Sequence, residues 1–212
     1  MVDYYLEENL DKTEVINSSS GKYKLEIKHY KRQGSWNYTR GLVYKDNEEI
    51  ADIKRNYCSF FHAFVENHPN GHDYLLCGQN YQGQTVIELD TGDRVDYLPG
   101  TARKGHGFCC AAYYPSPNKK YLFIDGCYWA CPYESRIVDF SEPMKLPYKM
   151  LNKFDDCVFF TEYDLYENKP HWTEDNKFNG VADFHKEAQA KIVVYDPSTN
   201  KMEILEDFKY ED

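Results

Sequence analysis

The stretch VIELDTGDRVDYL, residues 86–98, decides the fold that we expect of this chain. An apolar strand ends at Asp90, a turn rich in Asp and Gly follows, and a second strand runs to Leu98. The same order of strand, polar turn and strand occurs in three other places. These are LVYKDNEEIADI at 42–53, IVDFSEPMKLPY at 137–148 and IVVYDPSTNKMEIL at 192–205. The sequence therefore predicts four hairpins of one type.

These hairpins recur at similar distances along the chain. Equivalent positions are held by Val43, Ile87, Val138 and Val193, which follow one another at 44, 51 and 55 residues. These steps are close to the roughly 40 to 50 residues of a four-stranded propeller blade. A further pair of strands fits before the hairpins. We place the pairs at 22–30 after an opening strand within 4–16, at 59–65 and 72–79, and at 108–114 and 120–125.

The fourth repeat is less regular. It opens with an apolar strand at 157–163 and continues through a long polar stretch at 167–189, in which we expect a short helix near Ala182 to Ala190. The sequence thus predicts one all-β domain over residues 1–212. Its four antiparallel, four-stranded meanders would occupy about 1–54, 55–98, 99–150 and 151–212. A closed four-bladed ring, an open stack of sheets and a sandwich each satisfy this strand pattern.

This layout resembles a β-propeller repeat protein of the WD-repeat type over most of the chain. Gly-His dipeptides occur at Gly71-His72 and Gly105-His106, and Asp90 and Asp196 end the third strands of their repeats, as in that family. The sequence departs from the family in two ways. It contains no Trp-Asp dipeptide, and four repeats are fewer than the seven or so of closed WD-repeat rings. The resemblance implies a propeller architecture.

Charge and composition exclude several functional classes. The formal net charge of −10 argues against nucleic acid as the partner, because that affinity comes mainly from Lys and Arg. The longest apolar run, residues 108–114, is too short to cross a bilayer, so we expect no membrane span. The acidic N-terminal sequence lacks the basic and apolar regions of a signal peptide. Seven cysteines, two of them adjacent, fit reduced thiols, so we expect a cytoplasmic protein.

Aromatic residues concentrate in the predicted connections between second and third strands. These connections lie at 31–40, 78–85, 126–135 and 168–189, and in a propeller they share a face with the connections that enter the next repeat, here 55–58, 98–107 and 148–156. Because aromatic side chains with a polar group are common interface anchors, this rim is the candidate partner-binding surface. Its predicted residues are Trp36, Tyr38, Tyr81, Tyr128, Trp129, Tyr133 and Trp172. The alternative is that these rings pack back onto the core.

The loop at 99–107 adds two basic residues to the same rim. Arg103 and Lys104 are candidates for holding an acidic group of a partner, although the loop also fits a solvated turn. It lacks the Lys-Ser/Thr ending of a phosphate loop, so we do not expect nucleotide binding.

Metal and catalytic patterns are weak. Cys109, Cys110, Cys127 and Cys131 lack the usual zinc spacing, and His62, His68 and His72 lack a helical metal motif. We therefore expect no metal and no cofactor. The carboxylates Asp90 and Asp93 fit a turn, and a nucleophile built from Cys127, His106 and Asp125 has no supporting motif.

Two functions remain from the sequence. The first is a non-enzymatic intracellular module that binds a protein or peptide through the aromatic rim. The second is a hydrolase or lyase that acts on a polar ligand such as a sugar. In the second, proton transfer would fall to Asp155, Asp156, Glu134 or His106.

Overall fold

The computed structural model describes residues 4–31, 34, 36–128, 133–154, 157–159, 170–184 and 189–208. In this part of the chain all regular structure is β, apart from two short 3-10 helices at Glu7–Asn9 and Gly100–Lys104. The strands form four separate antiparallel sheets in chain order. The predicted all-β fold of four meanders is therefore confirmed.

The first two sheets are regular meanders. The first contains β1 (Leu10–Asn17), β2 (Tyr23–Tyr30), β3 (Tyr38–Lys45) and β4 (Glu48–Arg55), and the second contains β5 (Ala63–Val65), β6 (Tyr74–Cys77), β7 (Gln84–Glu88) and β8 (Arg94–Tyr97). Asp46 and Asn47 both adopt positive φ in the β3–β4 turn, as a two-residue hairpin of type I′ requires. Turn chemistry that can be read locally therefore produces the predicted hairpin.

The third sheet contains β9 (Cys109–Pro115), β10 (Tyr121–Cys127), β11 (Tyr133–Asp139) and β12 (Met150–Lys153). Its last strand differs from the prediction. The segment at 141–148 was expected to hold the returning strand of a tight hairpin, but the strand begins only at Met150. Pro143 and Pro147 explain the delay, because proline cannot donate a hydrogen bond to a ladder.

The fourth sheet contains β13 (Cys157–Phe159), β15 (Phe178–Phe184), β16 (Gln189–Asp196) and β17 (Lys201–Asp207), with the short β14 (His171–Trp172) paired to β15. The helix expected near Ala182 to Ala190 is wrong. Residues 182–184 belong to β15 and residues 189 and 190 belong to β16, which pair in register. Val181, Ala182 and Phe178 are buried in a strand pattern that the surrounding polar residues obscured.

The chain divides into two compact units. The first contains Met1–Cys110 with Pro143–Leu146, and the second contains Ala111–Glu142 with Pro147–Asp212. In the first unit, both sheets contribute to one core, which includes Leu25, Val43, Leu75 and Ile87. In the second unit, the core includes the aromatic residues Phe123, Phe154, Phe159, Phe178 and Tyr195.

The first core depends on a close approach at Gly41 of β3. A Cβ atom at this position would lie 2.4 Å from Cζ of Phe60, which is itself buried. The ring of Phe60 therefore occupies the space that a side chain at position 41 would need. This contact positions the connection between β4 and β5, which carries part of the site described below.

Among the described residues, no helix is long and apolar enough to cross a membrane.

Candidate functional site

The connections at one end of the first unit bring seven aromatic residues together. They come from the N-terminal segment, the β2–β3 connection (31–37) with the start of β3, the β4–β5 connection (56–62) and the β6–β7 connection (78–83). We call these residues the aromatic surface: Tyr4, Tyr5, Trp36, Tyr38, Tyr57, Phe61 and Tyr81. Their ring-to-ring contacts form two groups, and both groups contact Arg55.

Tyr57 is the centre of the first group. Its ring lies 5.9 Å from that of Tyr81 in a stacked arrangement, 6.2 Å from Trp36 and 6.3 Å from Phe61. Trp36 is 50% exposed, whereas the other three are only partly exposed. The indole of Trp36 therefore has both a fixed neighbour and a large face in solvent.

The buried guanidinium of Arg55 contacts two of these rings and two backbone carbonyls. Arg55 is only 2% exposed, its Nη1 donates to the carbonyl of Gly78 at 2.5 Å, and its Nε donates to the carbonyl of Ser59 at 2.7 Å. The same group lies 5.6 Å from the ring of Tyr57 and 5.8 Å from that of Phe61, in cation–π range. One buried charge thus joins two connections and two rings of the surface.

Glycine at position 78 permits this contact. A Cβ atom there would lie 2.5 Å from Nη1 of Arg55. The guanidinium reaches the backbone carbonyl only because no side chain intervenes.

The second group contains Tyr4, Tyr5 and Tyr38. Tyr38 stacks on Tyr4 with ring centres 4.3 Å apart and meets Tyr5 edge-on at 6.0 Å. Burial, followed by the neighbouring Tyr4, raises the pKa of Tyr38. The hydroxyl of Tyr5 donates to the carbonyl of Arg55 at 3.2 Å, which connects this group to the first.

Backbone hydrogen bonds hold the connections in place. The amide of Asn56 donates to the carbonyl of Gln79, and the amide of Tyr81 donates to Oδ1 of Asn56. Oγ1 of Thr39 donates to the carbonyl of Tyr57 at 2.8 Å. The rings of the aromatic surface are therefore carried on a backbone that is ordered before any partner binds, which lowers the entropic cost of binding.

The predicted basic residues lie beside this surface. Arg103 and Lys104 end the 3-10 helix at Gly100–Lys104 and are exposed. The loop returns to the β6–β7 connection where the amide of Gly107 donates to Oε1 of Gln82 at 2.7 Å. Gln82 directly follows Tyr81, so the basic loop and the aromatic surface share one connection.

Three other predicted residues belong to the β10–β11 connection of the second unit. Tyr128 follows β10, and its ring lies 5.5 Å from the guanidinium of Arg136, which also donates to its hydroxyl. Tyr133 begins β11 opposite Cys127. The side chain of Tyr133 and all of Trp129 lie outside the described residues, so their placement on a rim stays a prediction.

The expected position of Trp172 is wrong. It lies in β14 and pairs with Phe178 at the start of β15, which is the end of the fourth sheet opposite the β15–β16 connection. Its Nε1 donates to the carbonyl of Tyr114 at 2.7 Å, and its ring stacks 6.2 Å from Tyr121. The sequence analysis treated the residues of β15 as part of the connection between second and third strands. Trp172, which precedes β15, was therefore assigned to that connection.

The structure describes two of the four candidate catalytic residues, His106 and Glu134. Asp155 and Asp156 lie outside the described residues, and His106 is exposed. Glu134 is buried and is ion-paired with Arg136 and with Lys153, whose Nζ lies 2.9 Å away. The ion pair with Lys153 joins β11 to β12, so the contacts of Glu134 in the structure are those of a structural residue.

The histidine and cysteine patterns have local structural partners. His62 Nδ1 lies 2.9 Å from the carbonyl of Phe60, and His68 Nδ1 lies 2.8 Å from Oδ1 of Asn70. Cys110 is buried and Cys109 is partly exposed, in line with opposite faces of β9. Within the described residues, no group of three His, Cys, Asp or Glu side chains is arranged to hold a metal ion.

The opposite end of the first unit carries a polar network. We call Lys22, Tyr23, Asp73 and Asp90 the polar brace. The Tyr23 hydroxyl donates to Asp73 at 2.9 Å and lies 3.2 Å from Asp90, and Lys22 Nζ lies 2.8 Å from Asp73 and 3.2 Å from Asp90. These bonds connect the start of β2 with both ends of the β6–β7 hairpin.

The pKa shifts in the polar brace follow from these bonds. Burial acts to raise the pKa of Asp73, but hydrogen bonds from Lys22, the amide of Asn67 and Tyr23 outweigh it and hold that pKa below its ordinary value of 3.8. Hydrogen bonding to Asp73 raises the pKa of Lys22, and burial raises that of Tyr23. The brace therefore contains stable charges and a neutral phenol at neutral pH.

Sequence reasoning missed the central residue of the aromatic surface. Tyr57 lies within the predicted connection at 55–58, on the predicted face, but only the connections between second and third strands were searched for aromatic residues. Phe61, Tyr4 and Tyr5 were missed because the sequence analysis placed them in strands, at 59–65 and within 4–16. The signal was available, because both kinds of connection meet at one end of a meander.

Comparison with known structures supports a propeller-like fold. The chain resembles dihydro-heme d1 dehydrogenase NirN with a TM-score of 0.50 and 13% identity, covering 93% of this chain and 38% of that one. It resembles Synechocystis apocarotenoid oxygenase with a TM-score of 0.51 and 10% identity, covering 95% and 50%. The chain thus spans half or less of these structures, and the likeness concerns the fold alone. It supports a propeller-like fold without assigning the WD-repeat type.

The sequence identifies the family. No protein-family model matches the chain. It is 36% identical over 186 residues to Uncharacterized protein R762 of Acanthamoeba polyphaga mimivirus, covering 84% of this chain and 70% of that protein. The chain belongs to the family of this viral protein.

Proposed function

We propose that this chain is a non-enzymatic intracellular module that binds a protein or peptide partner through the aromatic surface of its first unit. The observation that carries the proposal is the state of Trp36. Half of its surface is in solvent, yet its ring contacts Tyr57, which is stacked on Tyr81. A large exposed ring on an ordered support is the arrangement of an interface anchor.

The support beneath the rings strengthens the proposal. Arg55 is buried under Tyr57 and Phe61 and bonds two backbone carbonyls, so the rings need not be ordered by the partner. The exposed Arg103 and Lys104 stand on the neighbouring loop and would favour an acidic group at the edge of the partner. Membership of the WD-repeat type is a finer part of the same prediction.

Site-specific photo-crosslinking tests the proposal. A benzophenone amino acid placed at position 36 should join a protein or peptide in cells, whereas the same group at Val15 should not. Val15 is the matched control because it is 58% exposed on β1 of the same unit, outside the aromatic surface.

The partner identified by crosslinking is then purified, and its affinity for variants of the chain tests the proposal. We expect Trp36→Ala to weaken affinity by at least about tenfold, since a central aromatic anchor contributes about 2 kcal/mol or more. Val15→Ala should leave affinity unchanged. Equal affinity of the Trp36→Ala variant and the wild type would refute the proposal.

A further inference from the structure

A cavity of about 390 Å³ lies in the first unit beside the aromatic surface. Its wall comes from β4, β7, β8 and the connections at 56–62 and 78–83. The polar side chains that matter here are Lys54, Asn56, Gln79, Asn80, Gln84 and Asp96. Four of these six are carboxamides, each with one accepting oxygen and one donating NH₂ group.

Three of the carboxamide oxygens are already used. Oδ1 of Asn56 accepts from the amide of Tyr81 at 2.9 Å, and Oδ1 of Asn80 accepts from the amide of Gln82 at 2.9 Å. Oε1 of Gln79 accepts from the guanidinium of Arg94. Amide and guanidinium groups only donate, so these contacts fix which end of each carboxamide is the oxygen.

The NH₂ groups at the other ends remain available. None of these three NH₂ groups donates to another residue in the described part of the chain. Each of these side chains lines the cavity, so the wall offers hydrogen-bond donors. The oxygens of the same side chains already accept hydrogen bonds from other residues.

Gln84 adds an unsatisfied hydrogen-bond donor to the same wall. It is only 9% exposed, and its buried Nε2 has no hydrogen-bond partner among the described residues. A buried donor without an acceptor is unfavourable. Gln84 also lines the cavity, so an acceptor that reaches this NH₂ group from the cavity would remove the cost.

The charges of the wall favour the same ligand. Lys54 is exposed, lies with Nζ 5.4 Å from the ring of Tyr5, and forms no ion pair with a carboxylate of the described residues. Asp96 is compensated, because Nε and Nη2 of Arg94 bind its two oxygens at 2.8 and 2.9 Å and Thr85 also donates to it. The cavity therefore keeps one uncompensated cation and an excess of donors.

We infer that this cavity binds a small molecule through an oxyanion group, either a carboxylate or a phosphate. Such a group only accepts hydrogen bonds, and its charge strengthens each of them. A neutral sugar fits less well because its hydroxyls must also donate, and the oxygens of Asn56, Gln79 and Asn80 already accept hydrogen bonds. The site does not depend on the partner proposed for the aromatic surface.

Calorimetric titration of the full chain tests the inference, with inorganic phosphate and citrate as the two probes. Sodium chloride at matched ionic strength and glucose are the negative controls. We expect saturable binding of one probe, and the preferred probe distinguishes a phosphate ligand from a carboxylate ligand. No saturable binding of either probe, or binding of glucose as tight as that of the anions, would overturn the inference.

Two variants locate the binding in the cavity. Lys54→Met removes the free cation at an exposed position, and Gln84→Glu replaces the unpartnered donor by a carboxylate of nearly the same shape. We expect each to weaken binding of the preferred probe by about tenfold or more. Because Lys54 is exposed, its variant keeps the test valid if the Gln84 variant fails to fold.

Trp36→Ala separates this site from the aromatic surface. It should bind the probe as tightly as the wild type, even where it loses the protein partner. Unchanged probe affinity in Lys54→Met would place the anion outside this cavity and contradict the inference.

Discussion

At one end of the first unit, Tyr23 and Lys22 share the carboxylates of Asp73 and Asp90, whereas at the other end Trp36 leaves half of its surface in solvent. Both ends join the same two sheets. The polar brace satisfies its charges within the unit, and therefore has no need of another molecule. The aromatic surface does not bury its largest ring.

This difference predicts that mutations at the two ends affect stability and partner binding differently. Removal of a partner within the polar brace should destabilise the fold, because it leaves buried groups unpaired. Removal of the exposed ring should cost little stability, because the ring contributes few buried contacts. Arg55 lies at the end that carries the aromatic surface. Because it is buried, its removal should nevertheless destabilise the fold, as removal of a polar-brace residue should.

The largest effect is expected at Arg55. Arg55→Ala removes the bonds to the carbonyls of Ser59 and Gly78 and the cation beneath Tyr57, so the free energy of unfolding should fall by about 3 kcal/mol. Chemical denaturation measures this change. Lys54→Ala is the control, since this exposed neighbour should change stability by less than about 0.5 kcal/mol. Similar losses in both variants would show that Arg55 does not organise this end.

A smaller and pH-dependent effect is expected at Asp73. Asp73→Asn weakens the bonds from Lys22 and Tyr23, and should lower the free energy of unfolding by about 2 kcal/mol at pH 7. Because the folded-state pKa of Asp73 lies below its ordinary value of 3.8, the charged form stabilises the fold. That contribution is complete above about pH 5 and is lost as the pH falls through the ordinary value towards the folded one.

The difference between wild type and Asp73→Asn should therefore shrink on acidification. Urea denaturation between pH 7 and pH 3 follows it. Asp93→Asn is the matched control, because Asp93 is an exposed residue of the β7–β8 turn and its replacement should change stability by less than about 0.5 kcal/mol. A difference that stays constant with pH would contradict the assigned role of the Asp73 charge.

The smallest effect on stability is expected at Trp36. Trp36→Ala should change the free energy of unfolding by less than about 0.5 kcal/mol, since half of the side chain is already in solvent. In a variant whose other tryptophans are replaced by phenylalanine, iodide should quench most of the Trp36 emission. Strong protection from iodide, or a large loss of stability, would mean that this ring belongs to the core.

The hairpins and the aromatic rim show how much of the molecule can be predicted from sequence. The Asp46–Asn47 turn and the alternation of Tyr23, Leu25 and Ile27 in β2 are local patterns, and the structure has both. Strand β15 escaped prediction because polar residues precede it and its apolar residues resemble a helical segment. Trp172 was consequently placed at the wrong end of its sheet.

The candidate site was predictable only in part. Trp36, Tyr38 and Tyr81 lie on the aromatic surface as expected, because a connection between two strands must emerge at the end where they meet. Tyr57, whose ring contacts those of Trp36 and Tyr81, was not identified, since it comes from the connection between two repeats. The cavity had no sequence signal at all.

The sequence by itself determined most of the strands, the tight turns and the fourfold repeat. These depend on side-chain alternation and on backbone conformations that a few adjacent residues set. Only the tertiary structure decided that Arg55 reaches Gly78, that Tyr57 joins Trp36 to Tyr81, and that the carboxamide oxygens around Gln84 are already occupied. Such contacts depend on distances between residues far apart in the chain, which no local pattern specifies.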